Sequence, residues 1–278
     1  ALARRGAHVV LAVRDTERGE RAAAAITAES PGASCEVRPL DLADLTSVRA
    51  CADALRADHP RLDVLVNNAG VMAPPRTLSP QGHELQFATN HLGHFALTGL
   101  LLDLLAAGAD PRVVTVSSPN HRQARLDLDD PDGERTYSPM GHYNASKLAN
   151  ALFGHRLHLR LTAAGSPVRS MLAHPGYVAT GLQRGTPVPS VRLLYGALLS
   201  PLAQKPRDGA RSLLYAATEP GLPGGAFIGP GGPGELRGAP TPVRLAPRAT
   251  DETAGRRLWE LSERLTGVRF ALPEPAQR

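Results

Sequence analysis

Residues 112–118 read RVVTVSS: a run of β-branched residues closed by two hydroxyls. Val and Thr favour extended backbone, and the run is too short for a helix. It shows no polar–apolar alternation over its valines, so both faces are expected to be covered, as in a parallel sheet. In open α/β sheets ligands bind beyond the carboxyl ends of the strands. Ser117 and Ser118 therefore stand at the expected crevice, although turn-forming serines would look the same in isolation.

The same kind of run recurs along the chain, at residues 7–13, 35–40, 62–67, 168–174 and 226–228. Between the runs lie segments with helical periodicity at 17–29, 46–57, 83–106, 143–164 and 209–217. Apolar strands alternating with helices define the α/β class, here a doubly wound, Rossmann-like parallel sheet. No internal repeat or linker breaks it, so residues 1–278 are read as a single domain. Residues 119–142 are polar and form an elaborated loop. Residues 180–208 form a flap around the apolar stretch VRLLYGALLS (191–200). Residues 220–247 are read as Gly/Pro-rich surface loop, and 251–265 as a C-terminal amphipathic helix.

Polar residues collect at the ends of these strands. Arg14, Asp41, Asn67, Ser118 and Thr180 all fall there, Asn67 within LVNNAG (65–70). Asn90 interrupts an otherwise apolar helix, where Asn is a mediocre helix former. Tyr143 and Lys147, in YNASK, share one helix face one turn apart. A cation ~4 Å from a phenol is worth up to ~4 kcal/mol at an effective dielectric of ~20, or roughly three pKa units. That brings a Tyr towards working pH as a general acid–base. Only two of the 31 basic residues are lysines, Lys147 and Lys205, so an ammonium here is a choice against the prevailing Arg.

Composition excludes other classes. The net charge of +5 comes from basic residues scattered along the chain without a block or aromatic interleaving, which argues against nucleic acid as a partner. No apolar run reaches the ~18 residues of a membrane span. Cys35 and Cys51 make no disulfide framework, which favours a reducing, cytoplasmic setting. His91/His94 and His155/His158 are spaced i,i+3, but no third ligand stands near them in sequence, and no metal is expected.

With NNAG at 67–70, Asn90, Ser118, Tyr143-x-x-x-Lys147 and HPGYVAT at 174–180 in this order, the chain resembles the short-chain dehydrogenases/reductases. The segments NHLGHF and YNASKLAN are most similar to the retinol-dehydrogenase-like branch. The resemblance covers about residues 1 to 230. It implies an oxidoreductase that moves hydride between a nicotinamide and a carbonyl or alcohol, with a lipophilic small molecule as substrate. It implies Tyr143 as general acid–base, with Lys147 binding the nicotinamide ribose and lowering the tyrosine's pKa. Ser118 would orient the substrate oxygen, and Asn90 would anchor a water that links Lys147 to solvent. Cofactor contacts are then expected from Arg14, Asp41, Leu42 and Asn67, from Ala69 and Gly70, and from Pro175, Gly176, Val178 and Thr180.

An acid at the end of the second strand of this fold selects NAD. Here that end reads Val13-Arg14, with Asp15 one residue late, so NADP is favoured through its 2′-phosphate. The family's first strand and glycine turn do not occur in the sequence. Residues 1–5, ALARR, read as the tail of the helix that follows them, so a copy truncated at its start is expected. The strand at 7–13 should then lack a neighbour on one side. One G-x-G-x-x-G exists, GPGGPG at 229–234, but ELRGAPTP follows it rather than a helix, and its prolines remove amide donors. It is read as surface turn. The alternative to an active enzyme is a non-catalytic scaffold, or a remnant unable to bind cofactor.

Overall fold

The computed structural model describes residues 1–178 and 203–272. The chain opens on a 3-10 turn, Ala3–Arg5, stopped by Gly6 at φ 83° with its N–H on the Ala3 carbonyl. All six expected strands form: β1 (His8–Val13), β2 (Ser34–Pro39), β3 (Val64–Asn67), β4 (Arg112–Val116), β5 (Arg169–Ala173) and β6 (Phe227–Pro230). The helices α1 (Thr16–Glu29) and α2 (Leu45–Asp58) start from Asp15 and Asp44, whose carboxylates accept from the backbone of Arg18 and Thr46. The single helix expected over 83–106 is instead broken. It comprises α3 (Leu85–Phe87), a π turn at Ala88–Leu92, α4 (Gly93–Leu100) and α5 (Leu102–Ala106). The remaining helices are α6 (Pro139–Ala163), α7 (Pro206–Thr218) and α8 (Glu252–Thr266).

β3-β4-β5-β6 run parallel in that order, whereas β1 and β2 form a separate parallel pair. Among the described residues β1 thus pairs with β2 alone and β3 is a sheet edge. Both are largely half-buried, while β4 is buried from end to end. The loop reading of 220–247 needs correction. Residues 240–242 form an antiparallel strand, β7 (Pro240–Pro242), on β6. Two prolines fit there because β7 pairs with β6 alone among the described residues, and an edge strand tolerates residues that cannot donate to a second ladder. The GPGGPG segment is likewise not all surface turn, since Gly229 and Pro230 belong to the buried strand β6.

Strand alternation sorts side chains to two helical layers. Leu65 and Val113 join Phe95 of α4, Phe153 of α6 and Trp259 of α8. Val66, Val114 and Met171 point the other way, to Ala216 and Ala217 of α7. The α6–β5 approach needs Gly154, because a Cβ there would lie 2.6 Å from Leu172 Cδ2. The flap expected over 180–208 falls largely outside the described residues, and the apolar stretch 191–200 wholly so.

Candidate active site

Helix α6 begins with Ser138 capping Gly141 N–H and Pro139 in its first turn, which fixes the start one turn before Tyr143. Tyr143 and Lys147 are both buried, with the Lys147 Nζ 5.8 Å from the Tyr143 ring centroid. Lys147 donates to the Val116 carbonyl at the end of β4, 3.3 Å away, its one hydrogen bond among the described residues. An ammonium has three donors, so two are left for a ligand. Burial pulls the Lys147 pKa down to about 8, which leaves the group protonated at neutral pH.

Asn90 sits in the π turn, a local widening of the helix often found at functional sites. Its Oδ1 accepts from Val71 N–H at 2.8 Å, and its Nδ2 donates to the Val71 carbonyl and to Ser146 Oγ. Its own carbonyl is bonded by His94 Nδ1 at 2.9 Å. The NNAG loop lies directly on this group: a Cβ at Gly70 would stand 3.1 Å from Asn90 Oδ1 and 3.6 Å from Lys147 Nζ. A side chain there would crowd the Asn90 amide. Met72, Ala73 and Met140 pack about Tyr143 and give the phenol an apolar flank.

The two serines of RVVTVSS separate cleanly. Ser117 is buried and donates to the Lys147 carbonyl at 2.8 Å, so it braces α6. Ser118 is half-buried, and its Oγ accepts a long 3.3 Å bond from Asn120 N–H. Its hydroxyl proton has no acceptor among the described residues. Asn90, Ser118, Tyr143 and Lys147 therefore lie on three elements that meet at the carboxyl end of β4.

The expected cofactor residues divide. Arg14 is exposed and makes no ion pair among the described residues, while Asp15 is spent on capping α1. Asp41 folds one oxygen back onto Ala43 N–H, and Leu42 is core, its carbonyl packed under Gly93. Asn67 turns inward: its Nδ2 donates to Thr98 Oγ1 at 2.9 Å, and its buried Oδ1 has no partner. Its side chain thus anchors the loop, and Asn68 and Ala69 are the exposed residues there. Pro175 is half-buried, and Gly176 is required both by its φ of 73° and by the Leu236 carbonyl, which would stand 2.5 Å from a Cβ. Val178 is buried against Gly209 of α7, and Thr180 lies outside the described residues. The spare donors of Lys147, the close approach of the Gly70 backbone to them and the exposed Arg14 fit a nicotinamide dinucleotide.

Sequence reasoning missed one part. His174, just before Pro175-Gly176, is bonded through Nε2 to Glu235 at 2.9 Å, and Glu235 accepts from Arg122 at 2.8 Å. Glu235 thereby ties the segment after Ser118 to the turn after β5. It arrives on the hairpin whose glycines imitate a phosphate loop, so the only available signal pointed elsewhere. Burial holds His174 down to about 4, hence neutral, with Nδ1 accepting from Gly176 N–H and Nε2–H donating to Glu235. The histidine pairs are packing groups. His91 stacks on Phe87 and bonds Ser262, and His158 lies against Gly224 and Gly225.

Comparison with known proteins gives the family. Residues 1–187 match the short chain dehydrogenase family. Retinol dehydrogenase 14 of Mus musculus is 38% identical, covering 96% of this chain and 80% of the relative. Polyprenol dehydrogenase of Mus musculus is 40% identical over 96% and 78%. A crystal structure of an uncharacterized protein from Mycobacterium paratuberculosis superposes with TM-score 0.79 at 46% identity, over 98% and 88% of the two chains. The chain belongs to the short-chain dehydrogenase family and is an NAD(P)-dependent oxidoreductase acting on alcohols and their carbonyl partners.

Proposed function

We propose that the enzyme uses NADP to interconvert a lipophilic alcohol and its aldehyde or ketone, with Tyr143 as the acid–base. The observation that carries this is the meeting of Tyr143, Lys147 and Asn90 beside Gly70, with Ser118 just past the end of the strand whose Val116 carbonyl Lys147 bonds. The nicotinamide, when bound, gives or takes the hydride. In reduction the Tyr143 hydroxyl gives its proton to the carbonyl oxygen, and in oxidation the phenolate takes it from the alcohol. The Lys147 charge favours the phenolate. With Nζ 5.8 Å from the ring centroid, the attraction is on the order of 3 kcal/mol at an effective dielectric of ~20. Ser118 holds the substrate oxygen, and Asn90 pins the Val71 backbone and Ser146, so that Gly70 and α6 keep their spacing.

The NADP preference rests on Arg14 being exposed and unpaired while Asp15 is occupied as a cap. A guanidinium on the 2′-phosphate is worth roughly 1.5–3 kcal/mol. Arg14→Ala should then raise the KM for NADPH about 10- to 100-fold and leave that for NADH unchanged. Equal effects on the two cofactors would refute the assignment. The lipophilic substrate is supported by the apolar flank of Tyr143, and by relatives that are named for retinol and polyprenol. Turnover of long-chain but not short polar aldehydes tests it.

A further inference from the structure

At the opposite end of β1 from Arg14, three side chains far apart in sequence converge. The β1–β2 register sets His8 beside Ser34 and Val10 beside Glu36, so His8 and Glu36 fall on one face. Helix α2 packs on that face and ends in His59, its C-cap. The His59 Nε2 stands 2.9 Å from Glu36 Oε1, and the His8 Nε2 stands 3.7 Å from Glu36 Oε2. One donor atom from each residue lies within 4.8 Å of the other two. Donors held 2.0–2.1 Å from a tetrahedral ion are roughly 3.3 Å apart. The observed separations bracket that value.

Two further features belong to a ligand set. The His8 Nδ1 lies 2.6 Å from Ser34 Oγ, which fixes the ring and leaves the Nε2 lone pair toward Glu36. Arg38 touches both Glu36 oxygens at 3.2 Å but has Asp58 closer, at 2.7 Å. Glu36 can therefore turn its charge to a cation without stranding the guanidinium. The His8 side chain is 43% exposed, which gives an entry path and an open fourth position.

We propose that His8, Glu36 and His59 form a surface site for a divalent transition metal of the zinc type, remote from the catalytic group. Two imidazoles and one carboxylate suit Zn2+, Co2+ or Ni2+ and not Mg2+ or Ca2+. The ion would staple β1, β2 and the end of α2, the part of the sheet held by a single strand pairing. Its binding stabilises the fold by mass action.

The test is a Co2+ titration of tag-free, chelator-treated enzyme, read by the visible bands of tetrahedral Co2+, followed by Zn2+ displacement. One equivalent is expected, with Zn2+ raising Tm and Mg2+ leaving it unchanged. Ser34→Ala should weaken binding about 10-fold. His8→Ala and His59→Ala should remove the bands, and His155→Ala should keep them. Circular dichroism in chelator confirms that each variant is folded, and His59→Gln replaces any that is not. A wild-type protein without the bands overturns the proposal, as does a His8→Ala/His59→Ala double variant that retains them.

Discussion

Replacing Lys147 by Met separates the two things this residue does. The side chain keeps its length and its apolar path through the core but loses its charge. In the folded protein burial pulls the ammonium's pKa from 10.5 to about 8. The unfolded chain therefore binds the proton more tightly, and folding at neutral pH carries a cost of about 3 kcal/mol. The sign is definite: the cost is present in full below about pH 8 and is relieved as pH rises towards 10.5. Lys147→Met removes it, so the variant should melt several degrees above wild type at neutral pH. Turnover should move the other way. Losing about 3 kcal/mol of support for the phenolate costs roughly 100-fold in kcat for alcohol oxidation. The rate should recover with rising pH, as an unassisted phenol ionises. Thermal melts and a pH–rate profile of oxidation at saturating NADP+ read both effects. A variant that is less stable and turns over at the wild-type rate would refute the reasoning.

Two other outcomes follow from buried groups. Glu235→Ala leaves the His174 Nε2–H without its acceptor, at about 1–3 kcal/mol. It should lower Tm by several degrees and weaken NADPH binding, whereas Glu235→Gln, which can still accept, should lose less; two variants matching wild type would dismiss the bridge. Acid should also destabilise the enzyme. Burial holds His91 at about 3 and both His94 and His174 at about 4, against 6.5 in the open chain. The unfolded state takes up these protons first, so stability is full above pH 6.5 and falls as pH drops towards 4. Each histidine costs up to about 1.4 kcal/mol per pH unit in that window. A Tm that stays flat between about pH 7 and about pH 5 would contradict the assignment.

The alternation of strand and helix was legible because β4 and its neighbours are short, apolar and flanked by periodic helices. Where reading failed, a tertiary partner decided. The π turn at Ala88–Leu92 follows from Asn90 reaching Val71 and Ser146, contacts that helical periodicity does not carry. β7 reads as loop because Pro-Thr-Pro is poor strand sequence, and only β6 beside it makes an edge of it. At the site, residue types singled out Asn90, Ser118, Tyr143 and Lys147, and the structure brings Asn90, Tyr143 and Lys147 together where the π turn and α6 meet the end of β4. The directions of side chains were not legible. Asn67 and Ser117 look like ligand groups in sequence and turn inward to brace the loop and α6. Glu235, His8 and His59 gave no signal, because their partners are 61, 26 to 28 and 23 residues away and meet only through the register of the sheet.

The central claim is that Tyr143 moves the proton. Tyr143→Phe deletes one hydroxyl and leaves Lys147, Asn90 and Gly70 in place. Steady-state turnover of a lipophilic aldehyde, measured beside a fluorescence titration of NADPH on the same protein, tests it. The expected result is a rate at least about 100-fold below wild type with NADPH affinity nearly unchanged. Turnover close to wild type would contradict the account.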